Sequence, residues 1–509
     1  MSQVSNSQIL TSIKNCKDIS QAIAVSAKRV PKKIFIVNGN DKINFKDFDN
    51  LLNYCCEYFI NLGLKERDII TIKIKNSVEF LILYFACIRA KIIVNPIPST
   101  VSDYEAVKKF YYLNSKFFFV DDTFSIKKKN IIFINKNFHN SFIKFLKNKC
   151  DTSKQYNVKY NPRKTAVLYY SSGTTSDPKI IEYSYYSMLE LQKSIIRNKF
   201  TSSDTNHLCV LPFGHTSVLR YSIKQAAILG STIYIYDNFW NIKNNFWKII
   251  KNKNINFVQL VPTLIISLLN LKKIKIKIKN KNKKLFIGCG SAVLSNEIQK
   301  EFENKFGVKL LNLFGLSEIG ASHFENLYSR KAGSIGKPLD IYKVKIVNSK
   351  KKNCRINEPG ELIVKSRALF NGYYKNEKLT SKSFYRNYFL TGDICKKDKD
   401  GFFYYVDRKK DLIIKGGVNI LPSEIDEQIL GYSKNVLEVA TIGEKNQFYG
   451  EIVKSFIILK KNNKNFIFNL KTFLLKRLGY LKCPDIIKVI KKFPKTPSGK
   501  IIKRLLKNC

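Results

Sequence analysis

From Ile34 onward the chain alternates short apolar runs with longer amphipathic ones, and that alternation restricts the architecture more than any other feature. Ile34-Phe35-Ile36-Val37 followed by Asn38-Gly39-Asn40 predicts a hairpin, since Asn and Gly tolerate the positive φ that tight turns need. Phe45–Leu62 sets Phe48, Leu51, Leu52, Cys55 and Phe59 at helical spacing. Asp68–Lys73 predicts a strand, Ser77–Ala90 a helix, and Ile92-Ile93-Val94 the next strand. Strands separated by helices pair in parallel, so an α/β fold with a largely parallel sheet is expected. Helices over Met188–Arg197, Phe246–Lys251 and Thr263–Leu271 continue the pattern. So do strands over Ile255–Val261, Leu285–Ile287 and Leu310–Leu313. Leu271–Lys284 reads as a lysine-rich surface connection whose alternating Ile is compatible with an edge strand. From Lys331 the texture changes to short strands between Gly and Pro turns: Val344–Val347, Glu361–Val364 and Phe402–Val406. After Arg408 a compact segment of roughly 100 residues mixes helix and strand. The expected organisation is a large domain, 1–408, of α/β subdomains plus a β-rich subdomain, and a small α+β domain, 409–509.

Composition limits the function classes. The chain has 509 residues, 44% hydrophobic and 13% aromatic, enough for a sizeable core and more than one domain. Its 89 Lys+Arg against 39 Asp+Glu give a formal net charge of +50. A polyanion binder is one reading. Nucleic-acid sites favour Arg forks and interleaved aromatics, whereas here Lys far outnumbers Arg and its excess travels with Asn and Ile throughout the chain. Compositional drift is therefore favoured, with no specific nucleic-acid partner; salt-sensitive, sequence-blind DNA binding would reverse that reading. The 11 cysteines are scattered and none has C-x-x-C spacing, so free thiols in a reducing cytosol are expected. The N-terminal stretch lacks a signal-peptide core, and the apolar run Phe80–Ile88 is too short to span a bilayer. A soluble cytoplasmic protein with no transmembrane segment is expected.

Chemistry enters at Tyr169–Lys179, YYSSGTTSDPK. An apolar strand feeds small and hydroxylated residues and ends on Lys179. Small side chains let backbone N–H groups reach phosphate oxygens, hydroxyls add donors, and lysine adds a point charge. On composition alone an ordinary surface loop is the stronger reading. The Gly-Lys-Ser/Thr ending of a Walker loop is missing. Further segments follow in order: Leu211–His215 (LPFGH), Gly288–Ala292 (GCGSA), Asn312–Glu318 (NLFGLSE), Tyr388–Asp393 (YFLTGD), Val406–Asp411 (VDRKKD), Lys415–Ile420 (KGGVNI) and Pro494–Ile501 (PKTPSGKI).

Together, in this order and over nearly the whole chain from Ile34 to Lys503, these segments resemble the adenylate-forming superfamily of acyl-CoA synthetases, nonribosomal-peptide adenylation domains and luciferases. The resemblance implies a phosphate loop at Ser171, Ser172, Gly173, Thr174, Thr175 and Lys179, with Ser176 and Ile180 standing where the family has Gly. It implies an acyl pocket at His215, Gly290 and Gly315, and nucleotide contacts at Gly290, Ser291, Asn312, Phe314, Gly315 and Ser317. Asn312 would bond the adenine amino group, Phe314 stack on the ring and Ser317 meet the α-phosphate. Glu318 would hold Mg²⁺, which takes one or two carboxylates beside phosphate oxygens. Asp393 would accept both ribose hydroxyls, helped by Arg408. Lys410 would be the hinge of a mobile small domain, Gly416 and Gly417 its thiol-side loop, and Lys500 the catalytic lysine beside Thr174 and Glu318.

The implied activity is ATP-dependent acid–thiol ligation. A carboxylate is activated as acyl-adenylate, and the acyl group passes to coenzyme A. Two alternatives stand behind it. One is a stand-alone adenylation enzyme loading an amino, aryl or fatty acid onto the phosphopantetheine of a separate carrier protein. No acidic residue stands in Phe213–Ser217 to meet a substrate amine, which ranks this second. The other is a degenerate nucleotide binder, suggested by Ser176 and Ile180.

Overall fold

A computed structural model describes residues 4–135, 141–149, 159–170, 179–271, 285–291, 294, 296–461, 465–495 and 501–508. The chain divides into two compact units. The first comprises the chain up to Lys343, apart from a short internal segment, together with Lys365–Lys382; the second takes Val344–Val364 and Ser383–Cys509.

Two sheets build the first unit. One has nine strands, in the order Lys337–Pro338, Gly320–Phe324, Lys309–Leu316, Phe286–Gly290, Phe257–Leu260, Asn206–Cys209, Thr232–Ile235, Ile34–Asn38 and Asp41–Asn44. Its interior pairs are parallel, and antiparallel hairpins close both edges. The other has seven, in the order Gly372–Tyr373, Ile180–Ser184, Thr165–Tyr170, Ile93–Pro96, Ile69–Lys73, Phe117–Val120 and Ile131–Phe133. The hairpin expected after Ile34 forms as read, with Val37 opposite Lys42. Phe45–Asn61 is a helix, and Phe35 stacks on Phe45 at 4.7 Å between ring centroids. The apolar run around Phe80–Ile88 lies within the helix Val78–Ala90, capped by Ser77, with every residue from Phe80 to Arg89 buried. A helix apolar on all faces belongs inside a protein. Among the described residues, no helix is long and apolar enough to cross a membrane.

The second unit is β-rich at first, as the change of texture at Lys331 predicts. Tyr342–Val347, Gly360–Ser366, Tyr388–Lys397 and Phe384–Tyr385 form a sheet, and Phe403–Arg408 pairs with Tyr388–Lys397. A further sheet orders Val418–Ile420, Ile413–Lys415, Gly450–Leu459 and Val436–Asn446, with Ile486–Val489 parallel to Gly450–Leu459. The helices Pro422–Tyr432 and Phe466–Lys482 pack on it through Ile425, Ile429, Leu470 and Leu474.

Two glycine-containing segments lie in strands. Gly288–Gly290 is strand, because it pairs in parallel with Leu311–Leu313. Gly315 lies in the strand Lys309–Leu316 at a bulge, and the chain turns only after it, at Ser317–Ile319. The lysine-rich connection 272–284 lies outside the described residues.

Candidate active site

The strands Thr165–Tyr170 and Ile180–Ser184 run antiparallel, and Tyr170 pairs with Ile180. The expected loop residues Ser171, Ser172, Gly173, Thr174, Thr175 and Ser176 lie outside the described residues. Lys179 is described. Its Nζ sits 5.0 Å from the centroid of the Tyr373 ring. Tyr373 in turn donates its hydroxyl to Glu318 Oε1 at 3.0 Å. The expected phosphate cation and the expected metal carboxylate thus meet on one phenol. Tyr373 reaches this place because the short strand Gly372–Tyr373 pairs with Glu182 and Ile181, and Phe370 N–H bonds the Glu318 carbonyl at 3.0 Å. Ile180, where the family has Gly, is buried and packs with Ile69, Ile93, Leu113 and Leu168. Its departure from the family pattern is explained by core packing.

The hairpin of Lys309–Leu316 and Gly320–Phe324 carries the expected adenine side. Asn312 donates Nδ2–H to the Ser334 carbonyl at 2.8 Å, which leaves Oδ1 as the acceptor an exocyclic amino group needs. Its own N–H is held by Glu325 Oε2 at 2.9 Å. Glu325 also accepts from Ser334 Oγ at 3.2 Å. Burial pushes the Glu325 carboxyl up to about 7, against lowering by the Asn312 N–H and Arg330. Phe314 meets His323 edge-on at 5.7 Å, and burial lowers that imidazole to about 3, so it stays neutral. A Cβ on Gly315 would stand 1.9 Å from the Gly320 carbonyl oxygen, so only glycine fits there. A Cβ on Gly290 would stand 2.7 Å from the Leu313 oxygen. Ser291 holds a left-handed φ of 68°, a conformation that glycine adopts at no steric cost. Ser317 is half-buried in the turn before Glu318.

In the second unit, Asp393 and Arg408 face each other across paired strands, with Arg408 Nε 2.8 Å from Asp393 Oδ1. Asp393 is fully buried, and its N–H bonds Thr391 Oγ1 at 3.0 Å. Thr391 Oγ1 donates to the Leu362 carbonyl at 2.6 Å. A charge-paired carboxylate held from behind suits a vicinal diol. Lys410 is exposed in the short turn Lys409–Asp411. Gly416 and Gly417 have φ of 55° and 79° and make the two-residue turn joining Ile413–Lys415 to Val418–Ile420. Lys415 beside that turn is buried and paired with Asp485 at 2.7 Å. Lys500 lies outside the described residues; Lys495 and Ile501, on either side of it in sequence, form an isolated bridge.

The segment Leu211–His215 is clamped. Asn76 bonds the Leu211 carbonyl and the Phe213 N–H, both at 2.9 Å, and a Cβ on Gly214 would stand 2.1 Å from Pro98 N. His215 is half-buried and precedes the turn Thr216–Val218, a π-helical turn Leu219–Ile223 and the helix Lys224–Leu229. A small cleft of about 10 Å³, room for one water-sized group, lies here, lined by Tyr169, Tyr183, Leu191, Thr216, Arg220 and Lys224 among others. Its two cations and the supports Tyr373 and Glu325 escaped sequence reasoning. None carries a local signal, and each is defined by partners distant in sequence.

Residues 23–374 match the family of AMP-binding enzymes, and residues 426–500 match the AMP-binding enzyme C-terminal domain. The chain belongs to the adenylate-forming superfamily. This superfamily member is similar to the sulfoacetate–CoA ligase of Cupriavidus necator, 29% identical over 351 residues, which are 68% of this chain and 67% of that protein. It is also similar to the 2-succinylbenzoate–CoA ligase of Listeria innocua, 31% identical over 348 residues, 68% of this chain and 70% of that one. Its fold is that of ATP-bound MatB from Rhodopseudomonas palustris, at a TM-score of 0.88 over 96% of this chain and 98% of that one, with 20% identity. This adenylate-forming enzyme is accordingly mixed α/β with a large N-terminal and a small C-terminal domain, and it is an AMP-forming ligase of the acid–thiol class.

Proposed function

We propose that the chain activates a carboxylic acid with ATP, releases pyrophosphate, and passes the acyl group to the thiol of coenzyme A. The observation that carries this reading is the Lys179–Tyr373–Glu318 contact chain, which gathers a cation and a carboxylate beside the phosphate-loop strand. The chemical problem is electrostatic: a carboxylate must attack a polyanion. Lys179 supplies one compensating charge. Glu318 fits as a Mg²⁺ ligand, because Tyr373 holds Oε1 while the half-buried carboxylate keeps a second oxygen for a hard cation. That ion, when bound, would neutralise the triphosphate and polarise the α-phosphoryl group. Asn312 and Phe314 hold the adenine, Asp393 with Arg408 the ribose, and Ser317 the α-phosphate.

In this reading 1–408 is the adenylation core and 409–509 a mobile domain hinged at Lys410. Lys500 neutralises charge where the carboxylate oxygen and leaving pyrophosphate meet. The domain then turns, and the loop of Gly416 and Gly417 borders the thiol's approach. The names of the relatives support coenzyme A as acceptor over a carrier protein. Nine free cysteines among the described residues support a reducing, cytoplasmic setting. Acid-dependent ATP–pyrophosphate exchange tests the reading; no exchange with any acid in a broad panel refutes it. Lys500→Ala should abolish exchange yet still convert synthetic acyl-adenylate to thioester, and equal loss of both steps would refute the domain-rotation assignment.

A further inference from the structure

Arg220 and Lys224 are only 7% and 4% exposed, yet among the described residues neither has an acidic partner. Phenols surround Arg220: those of Tyr169, Tyr183, Tyr221 and Tyr342. Lys224 Nζ touches Met188 Sδ at 3.6 Å and lies 5.4 Å from the Tyr84 ring centroid. The nearby acid Glu190 is already paired, with Lys193 at 3.1 Å and Arg367 at 2.8 Å. Glu318 is held by Tyr373. Buried lysine and arginine are normally paired, because an uncompensated charge in a low dielectric is costly. Here burial, with Arg220 adding repulsion, brings the Lys224 ammonium down to about 7. Among the described residues, no carboxylate is paired with either of these two basic groups.

The cleft's place says what would pair with them. Tyr169 stands at the end of the strand that leads to the phosphate loop. Leu191 and Tyr183 stand 2.7 and 3.6 Å from where a Cβ on Gly320 would be, so this wall abuts the turn that follows Glu318. Thr216 follows His215, the residue expected to line the acyl pocket. The cleft thus lies beside the turn after Glu318 and near the end of the strand before the expected phosphate loop, and Arg220 and Lys224 line it.

Given the ligase reading above, on which this rests, we propose that the substrate is a carboxylic acid carrying a second anionic group, a carboxylate or a sulfonate, and that Arg220 and Lys224 bind that group. The first carboxylate faces the nucleotide and the second pairs with the buried cations. An unbranched monocarboxylic acid would press methylenes against both charges and leave them unpaired and dehydrated.

The test is AMP release by the full-length enzyme with ATP and coenzyme A. The panel is a homologous series of α,ω-dicarboxylic acids, their ω-sulfonate counterparts and length-matched monocarboxylic acids. One dianionic series should exceed its monocarboxylic match in kcat/KM by roughly 100-fold or more, and the better series identifies the second group. Arg220→Met and Lys224→Met should cut that preference to about tenfold or less through the acid's KM, with the KM for ATP within about threefold. Lys224→Arg should restore it. Equal or better turnover of monocarboxylic acids by the unmodified enzyme overturns the proposal without any variant. So do variants that raise the KM for ATP and leave acid selectivity unchanged, since the cations would then serve phosphate. Turnover of monocarboxylic acids leaves the ligase reading standing; no turnover of any acid removes both.

Discussion

Replacing Glu325 by Gln isolates the linkage between one buried proton and the adenine side of the site. Glu325 is fully buried, takes the Asn312 N–H on Oε2 and accepts from Ser334 on Oε1. Its carboxyl rises from the ordinary 4.5 to about 7, chiefly through burial. Below pH 4.5 folded and unfolded states both hold the proton, and the group costs nothing. Between 4.5 and 7 only the folded state holds it, so stability falls as pH rises, by about 1.36 kcal/mol for each pH step of one. Above 7 the loss is complete, on the order of 3 kcal/mol. A Gln has no charge to desolvate. Its Oε1 accepts from Asn312 and its Nε2 donates to Ser334 Oγ, at a loss of about 0.5–1 kcal/mol for the weaker acceptor. The variant should match the parent within about 1 kcal/mol at about pH 5 and exceed it by about 2 kcal/mol at about pH 8. For a unit of this size that is a rise in Tm of roughly 2–4 °C. Thermal melts of both proteins across that pH range measure it. Parallel pH profiles would refute the reasoning, because they would mean that Glu325 is ionised throughout.

The remaining predictions concern the nucleotide and the acid. Gly315→Ala puts a methyl 1.9 Å from the Gly320 oxygen, so the hairpin must open by more than an ångström. A loss of about 1–3 kcal/mol in denaturant titration and an ATP KM raised roughly tenfold or more are expected. Asp393→Ala should raise the KM for ATP about 10–100-fold and that for the acid less than about threefold; unchanged ATP affinity would contradict the ribose role. If Lys224 binds the second anion, the acid's KM should climb as pH passes above about 7, where the ammonium loses its proton. Arg220 keeps its charge there, and Lys224→Met should flatten the profile.

Much of the fold was legible because it rests on local period. The strand–helix alternation from Ile34 to Val94 and the change of texture at Lys331 both follow from side-chain spacing. Glu318, Asp393 and Arg408 were singled out by resemblance, each in a short contiguous motif, and the structure pairs Asp393 with Arg408. What stayed hidden is what depends on distant pairing. Tyr373 lies on a two-residue strand 55 positions from the Glu318 it holds. Glu325 looks like any surface acid until the hairpin turns it under Asn312. Arg220 and Lys224 are two basic residues among 89, and only the packed structure separates them from the exposed ones. Gly288–Gly290 carries no strand signal of its own, because glycine is a poor strand former, yet the parallel neighbour at Leu311–Leu313 holds it in the sheet.

The π-helical turn Leu219–Ile223 has a consequence for how this cleft could change over generations. A wide turn of this kind is one residue longer than the α-helical turn it replaces. The extra residue is absorbed locally, so the residues on either side of the turn keep their facing. Losing one codon other than that of Arg220 would let the turn close to ordinary α-helical pitch without turning Thr216 away from Lys224. The wide turn therefore gives this segment a residue to spare, and its length could vary by one while both side chains still face the same space.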